Sequence, residues 1–141
     1  MGTTRYSPRT NRYYRKVMTN KCILVIDDDE DIQDVARVAL EVVGGWEVIT
    51  ASSGSEGLSL AASEQPDAIL LDVMMPDLDG IATLERLKAN PATESIPVIL
   101  LTAKVQSGDH ARFAQLDIIA IIAKPFKTML LANQVAEILG W

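Results

Sequence analysis

The sequence predicts an α/β fold, a doubly wound parallel sheet of five strands, on three observations. Short runs in which almost every residue is apolar recur along the chain, stretches of helical periodicity separate them, and chemically active residues directly follow them. Residues Cys22 to Ile26, Ala68 to Leu71, Val98 to Leu101 and Ile118 to Ala123 are apolar throughout, with Glu47 to Thr50 a weaker fifth run. Continuous rather than alternating apolarity is expected of strands covered on both faces.

Between the runs, Ile32, Val35, Ala36, Ala39, Leu40 and Val43 recur at i, i+3, i+4 spacing, and Gly44-Gly45 marks the end of that helix. Further helices are expected at about 54–64, 80–90, 107–116 and 127–139, the second of these following Gly80 and stopping before Pro91. Five βα units in succession imply right-handed crossovers. They also imply a ligand site beyond the carboxyl ends of the strands, where the winding reverses.

The 141 residues suit one domain, and 48% hydrophobic residues are enough to fill one core. No apolar run approaches the roughly 20 residues that cross a bilayer, and the basic N-terminus is followed by no hydrophobic signal segment. A soluble, cytoplasmic protein with no membrane partner is therefore expected. Cys22, the single cysteine, excludes an internal disulfide and is expected to be a buried, inert thiol.

The net charge of −6 is unevenly divided. Residues 1–21 hold six Lys/Arg and no acid, whereas residues 22–141 hold 7 Lys/Arg against 19 Asp/Glu, a net of −12. Residues 1–20 are expected to be a disordered basic extension, with residues 21–141 the folded domain. Met18 is an alternative start, and because one helix follows Pro125 no effector domain is expected in the chain. An acidic body argues against nucleic acid as its partner, since phosphate backbones require a basic footprint.

The chemistry lies at the predicted strand ends. The first strand runs into Asp27-Asp28-Asp29-Glu30-Asp31, the third ends in Asp72, the fourth in Thr102, and the fifth in Lys124-Pro125. In a parallel sheet these ends share one edge, so Asp28 and Asp72 can converge despite their separation in sequence. Converging carboxylates raise one another's pKa unless a hard cation lies among them, and Mg²⁺ suits carboxylates, water and phosphate oxygen. A metal, a hydroxyl and an ammonium around one carboxylate can hold a phosphoryl group while Asp72 attacks phosphorus.

In this order, and with Leu71-Asp72-Val73-Met74-Met75-Pro76-Asp77-Leu78-Asp79-Gly80 around the third strand end, residues from about 20 to 140 resemble the receiver domain of two-component response regulators. The resemblance implies a flavodoxin-like (βα)5 sheet of strand order 2-1-3-4-5. It implies phosphorylation of Asp72 by a sensor histidine kinase or histidine phosphotransfer protein, and signalling to a downstream protein target through a face built from helix four, strand five and helix five. Mg²⁺ would be held by Asp28 and Asp72 directly, by Asp27 through water, and by the main-chain carbonyl of Met74. Thr102 and Lys124 would contact the phosphoryl group. The resemblance further implies a cis Lys124-Pro125 bond, a monomer or weak phosphorylation-dependent dimer, and no catalysis beyond the domain's own phosphoryl transfer and dephosphorylation.

Departures from the family pattern are Ile121, where an aromatic switch residue is common, and Asp117, where glycine precedes the fifth strand in many members. Asp117 can still enter a left-handed turn, though less easily than glycine. Met74 and Lys104 occupy positions that tune hydrolysis of the acyl phosphate; neither is a general base for water, so a long-lived phosphorylated state is expected.

Other readings compete. Asp27-x-Asp29-x-Asp31 has the spacing of a calcium loop but carries Ile32 at the sixth position and Val38 at the twelfth. A haloacid-dehalogenase-like phosphotransferase would use Asp27 as nucleophile, a flavodoxin-like electron carrier would need a Ser/Thr/Gly-rich loop where five acids stand, and a pseudo-receiver would bind partners without phosphate. His110 is read as a surface residue, Asp77 and Asp79 as turn and cap residues, and Trp46 and Trp141 as packing residues.

Overall fold

The computed structural model describes residues 21–75, 79–103 and 115–141. The strands are β1 (Cys22–Ile26), β2 (Glu47–Ala51), β3 (Ala68–Asp72), β4 (Val98–Thr102) and β5 (Ala120–Ala123). They form one parallel sheet in the order β2-β1-β3-β4-β5. The described helices are α1 (Glu30–Val38), α2 (Gly54–Glu64), α3 (Gly80–Ala89) and α4 (Thr128–Leu139). The expected doubly wound architecture and strand order are both present.

Caps set the helix starts. Asp29 accepts hydrogen bonds from the Asp31 and Ile32 amides, Ser53 from Glu56, and Asp79 from Ala82, so each satisfies an amide that the first turn leaves open. The assignment of Asp79 as a cap is borne out, whereas Asp77, Lys104 and His110 lie outside the described residues. At the far end of α4, Gly140 takes the left-handed conformation (φ 73°) that a non-glycine residue enters only at a cost.

The sheet divides the core into two layers. On one face Ala61 of α2 and Leu84 and Leu87 of α3 pack on Leu24, Ile26, Ile69, Leu71 and Leu100. On the other, Ala36 of α1 and Leu131 and Val135 of α4 pack on Ile23, Val25, Leu70, Ile99 and Leu101. Each buried Leu or Ile side chain contributes about 1.5–3 kcal/mol, which is what holds five strand ends in register. Cys22 is fully buried, as expected. Trp46 and Trp141 meet edge to face at 5.0 Å, with the Lys21 ammonium 4.9 Å from the Trp141 ring. No helix among the described residues is long and apolar enough to cross a membrane.

Three expectations need correction. The inward face of α1 is made by Gln33, Ala36, Ala39 and Leu40, while Val35 and Val43 are 38% and 41% exposed. For Val43 the cause is a π-helical turn, Ala39–Val43, in which Gly44 N–H reaches back five residues to Ala39 O at 3.4 Å and the wider turn rotates the side chain out of the core. The fifth strand begins at Ala120 rather than Ile118, because a tight turn closed by Ile118 N–H to Leu116 O (2.9 Å) intervenes. Asp117 stays out of the left-handed region, since Gln65 (φ 48°) is the one non-glycine residue with positive φ among those described. Residues 107–114 of the expected 107–116 helix lie outside the described residues, and Gln115 and Leu116 are not helical.

Leu70 is fully buried on a central strand. Leu70→Ala is expected to lower stability by about 2–5 kcal/mol, read as a lower urea midpoint with the slope unchanged.

Candidate functional site

The pairing register brings the predicted residues to one edge. Ile26 lies opposite Ala51 and Leu71, Asp72 opposite Leu101, and Thr102 opposite Ala123, so the residues that follow β1 and β5 emerge beside the last residues of β3 and β4. Asp27 continues β1 by donating its amide to Ala51 O at 3.0 Å, and Lys124 continues β5 by donating its amide to Thr102 O at 2.8 Å. The Lys124-Pro125 bond is cis.

Asp27, Asp28 and Asp72 each present one carboxylate oxygen within 4.8 Å of the others. Asp27 and Asp72 are buried and Asp28 is exposed, so the cluster opens to solvent on the Asp28 side. The Asp29 amide donates to Asp27 Oδ1 at 2.9 Å and the Met74 amide to Asp72 Oδ1 at 3.3 Å. Lys124 Nζ lies 2.6 Å from Asp27 Oδ2 and 3.3 Å from Asp72 Oδ1. Thr102 is buried at the end of β4, next to this ion-pair network.

The electrostatics follow from the count of charges. Among the described residues, three carboxylates gather at this edge with the Lys124 ammonium beside them. Burial and the neighbouring Asp27 charge push the Asp72 carboxyl up from its ordinary pKa, against the opposing pull of Lys124 and the Met74 amide. Burial disfavours the Lys124 ammonium, but its hydrogen bond and ion pair with Asp27, reinforced by Asp72, outweigh burial and raise its pKa.

Two residues at this edge carry more weight than their sequence context indicates. Gly80 starts α3, and a Cβ there would lie 2.3 Å from Asp72 O and 2.6 Å from Val73 Cα. Its sequence signal is a poor helix former placed directly after a competent cap. Gln33 is buried on the inner face of α1 and donates to Asp27 O at 2.6 Å and Ser52 Oγ at 3.0 Å. Its signal is a polar residue on the helix's inward stripe.

Residues 23–136 match the family model of the response regulator receiver domain. The chain belongs to that family. Receiver domains are signalling modules of two-component systems, and the match sets aside the hydrolase and electron-carrier readings. A curated relative, the alkaline phosphatase synthesis transcriptional regulatory protein PhoP of Bacillus subtilis (strain 168), is 42% identical over 107 residues, covering 76% of this chain and 43% of the relative. The chain thus spans about half, or less, of the length of the curated relatives it matches.

Among solved structures, the N-terminal domain of a response regulator receiver protein from Methanoculleus marisnigri JR1 is 39% identical with a TM-score of 0.67, covering 86% of this chain and 98% of that one. The receiver domain of sensor histidine kinase PA1611 from Pseudomonas aeruginosa PAO1 has a TM-score of 0.76 at 29% identity, over 86% of this chain and 98% of that one. That structure holds a magnesium ion in its active-site cleft.

Three outcomes are expected of this receiver domain. A raised carboxyl pKa means that the contribution of Asp72 to stability is fully present below the ordinary carboxylate pKa and is lost as pH rises through the raised value. In metal-free buffer Asp72→Asn should therefore be more stable than wild type at neutral pH, with the gap closing as pH falls toward the carboxylate range. Lys124 is raised as well, so its contribution persists through neutral pH and is lost only in the alkaline range. Urea unfolding across pH reads both. Gly80→Ala forces Asp72 or Val73 backbone to shift and should cost about 1–3 kcal/mol in the same assay.

Proposed function

We propose that this receiver domain is the phosphoacceptor of a two-component phosphorelay, with Asp72 as the phosphorylated residue and Mg²⁺ as the required ion. The observation that carries the reading is the cluster of Asp27, Asp28 and Asp72 oxygens within 4.8 Å, with Lys124 shared between Asp27 and Asp72. The donor set fits the ion: hard carboxylate oxygens from three residues beside the Lys124 ammonium, with an open side for water and phosphate. Asp28 and Asp72 would bind it directly, Asp27 through water, and the main-chain carbonyl of Met74 would add a contact. When bound, the ion supplies positive charge that offsets the carboxylates and the charge on the transferring phosphoryl oxygens.

In the transfer, an Asp72 carboxylate oxygen attacks phosphorus of a phosphohistidine on the sensor kinase or histidine phosphotransfer protein. The new O–P bond forms as the P–N bond breaks, and the electron pair leaves with the donor imidazole. The Lys124 ammonium exchanges its contacts with Asp27 and Asp72 for phosphoryl oxygens, and the Thr102 hydroxyl donates to the same group. The domain catalyses this step and the loss of its own phosphate, and otherwise works by protein contact. Ile121 is partly buried against the core, so switching relies on Thr102 and Lys124 rather than on an aromatic swing. Met74 and Lys104, at the positions that tune hydrolysis in the family, offer no base to activate water, and the phosphorylated state persists.

The acceptor then acts as a cytoplasmic signal. Phosphorylation shifts the population of the face expected from the 107–116 segment, β5 and α4, of which residues 107–114 lie outside the described residues, and its affinity for a downstream protein, as a monomer or a weak phosphorylation-dependent dimer. Nucleic acid is not bound by the acidic body itself. The names of the curated relatives speak of transcriptional regulation, and their remaining length lies outside the matched region.

The test is intact-mass and peptide mapping after incubation with acetyl phosphate. One phosphate is expected on wild type in the presence of Mg²⁺, and none on Asp72→Asn or in chelator. Phosphate mapped to Asp27, or none on wild type, contradicts the proposal, and the second result favours a pseudo-receiver.

A further inference from the structure

Between the end of β1 and the cap of α1 the chain passes through Asp27-Asp28-Asp29, so the two acids of the pocket sit on a connection only three residues long. One end of that connection is pinned by Asp27 N–H to Ala51 O (3.0 Å) and the other by Gln33 N–H to Asp29 O (3.0 Å), the first helical bond. The Gln33 side chain adds a bond between the two ends. Its Nε2 lies 2.6 Å from Asp27 O, 3.0 Å from Ser52 Oγ and 3.4 Å from Ala51 O, which ties the first turn of α1 to the carboxyl ends of both β1 and β2.

Gln33 is 7% exposed and its neighbours on the stripe are Ala36 and Leu40, so packing alone would favour an apolar side chain here. A buried amide is retained at a cost unless its hydrogen bonds are made, and here they are made to the backbone of a pocket residue. Asp28, the exposed member of the cluster, lies between the two points that this amide joins.

We infer that Gln33 is a positioning residue of the magnesium site: by holding Asp27 O and the β2 end together, it keeps the Asp28 carboxylate within reach of Asp72. The inference rests on the reading of the acidic cluster as a Mg²⁺ site. Gln33 touches neither the ion nor the phosphoryl group, and acts only through the backbone that carries Asp27 and Asp28. It belongs to the outer shell of hydrogen bonds whose loss typically weakens metal binding by about 10–100-fold.

The experiment compares Mg²⁺ affinity, by amide NMR titration of otherwise metal-free protein, in wild type, Gln33→Met and Thr93→Val. Gln33→Met keeps the length and removes the donor. Thr93→Val removes another buried bond, Thr93 Oγ to Leu87 O at 2.7 Å, away from the acidic edge. The expected result is affinity about 10-fold weaker in Gln33→Met, with faster amide exchange at Asp27 and Asp29 before any metal is added, and affinity within about twofold of wild type in Thr93→Val. Should Gln33→Met fail to fold, Gln33→Asn, whose amide is one methylene too short to reach Asp27 O, is held to the same criterion. Wild-type affinity in the Gln33 variant, or an equal loss in Thr93→Val, overturns the inference while leaving the metal site standing. A wild-type protein that binds no Mg²⁺ overturns the site and the inference with it.

Discussion

The Lys124 ammonium lies between the Asp27 and Asp72 carboxylates, 2.6 Å from one and 3.3 Å from the other, and among the described residues it is the cation paired with two members of a cluster of three acids. Charges taken out of water are costly unless matched by opposite charge and hydrogen bonds. The Asp29 amide on Asp27 and the Met74 amide on Asp72 supply part of that compensation. The remainder is an excess of negative charge held at one point; burial first, and then the neighbouring Asp27 charge, raise the carboxyl pKa of Asp72. On the proposed reading, a site in this condition would suit a divalent cation and the oxygens of a phosphoryl group. The rest of the molecule serves to maintain it.

That maintenance is the work of the sheet. Apolar layers on both faces fix β1, β3, β4 and β5 in a register that sets Asp27, Asp72, Thr102 and Lys124 side by side. Gly80 lets α3 start against the Asp72 backbone, where a Cβ would press on Asp72 O and Val73 Cα. Gln33 closes the other side by tying α1 to the strand ends. Stability and site geometry are therefore two readings of the same packing, and both are resisted by the charge excess that the pocket concentrates.

Much of this was legible in the sequence because the signals were coarse and mutually consistent. Continuous apolar runs can be read as two-sided strands without knowing their neighbours, and acids, hydroxyl and lysine at successive strand ends converge on one edge once the sheet is parallel. The misses are of another kind. The π-helical turn at Ala39–Val43 depends on backbone hydrogen bonds that reach one residue further than usual, such as Gly44 N–H to Ala39 O, and no periodicity announces it. It moved Val43 to the surface, while the cap at Asp29 and the bonds of Gln33 set the helix rotation that leaves Val35 outside. The turn that delays β5 to Ala120 is likewise a local bond, Ile118 to Leu116, inside a run whose apolarity looks uniform. The roles of Gly80 and Gln33 arise from contacts with backbone atoms, to which side-chain patterns are blind.

Calorimetric titration of the metal-free protein with Mg²⁺, alongside Asp28→Asn, addresses the charge excess most directly. The account predicts one ion bound per chain in wild type, with affinity sharply reduced when the exposed carboxylate is neutralised. Binding of equal strength in both proteins, or no binding in either, would contradict it.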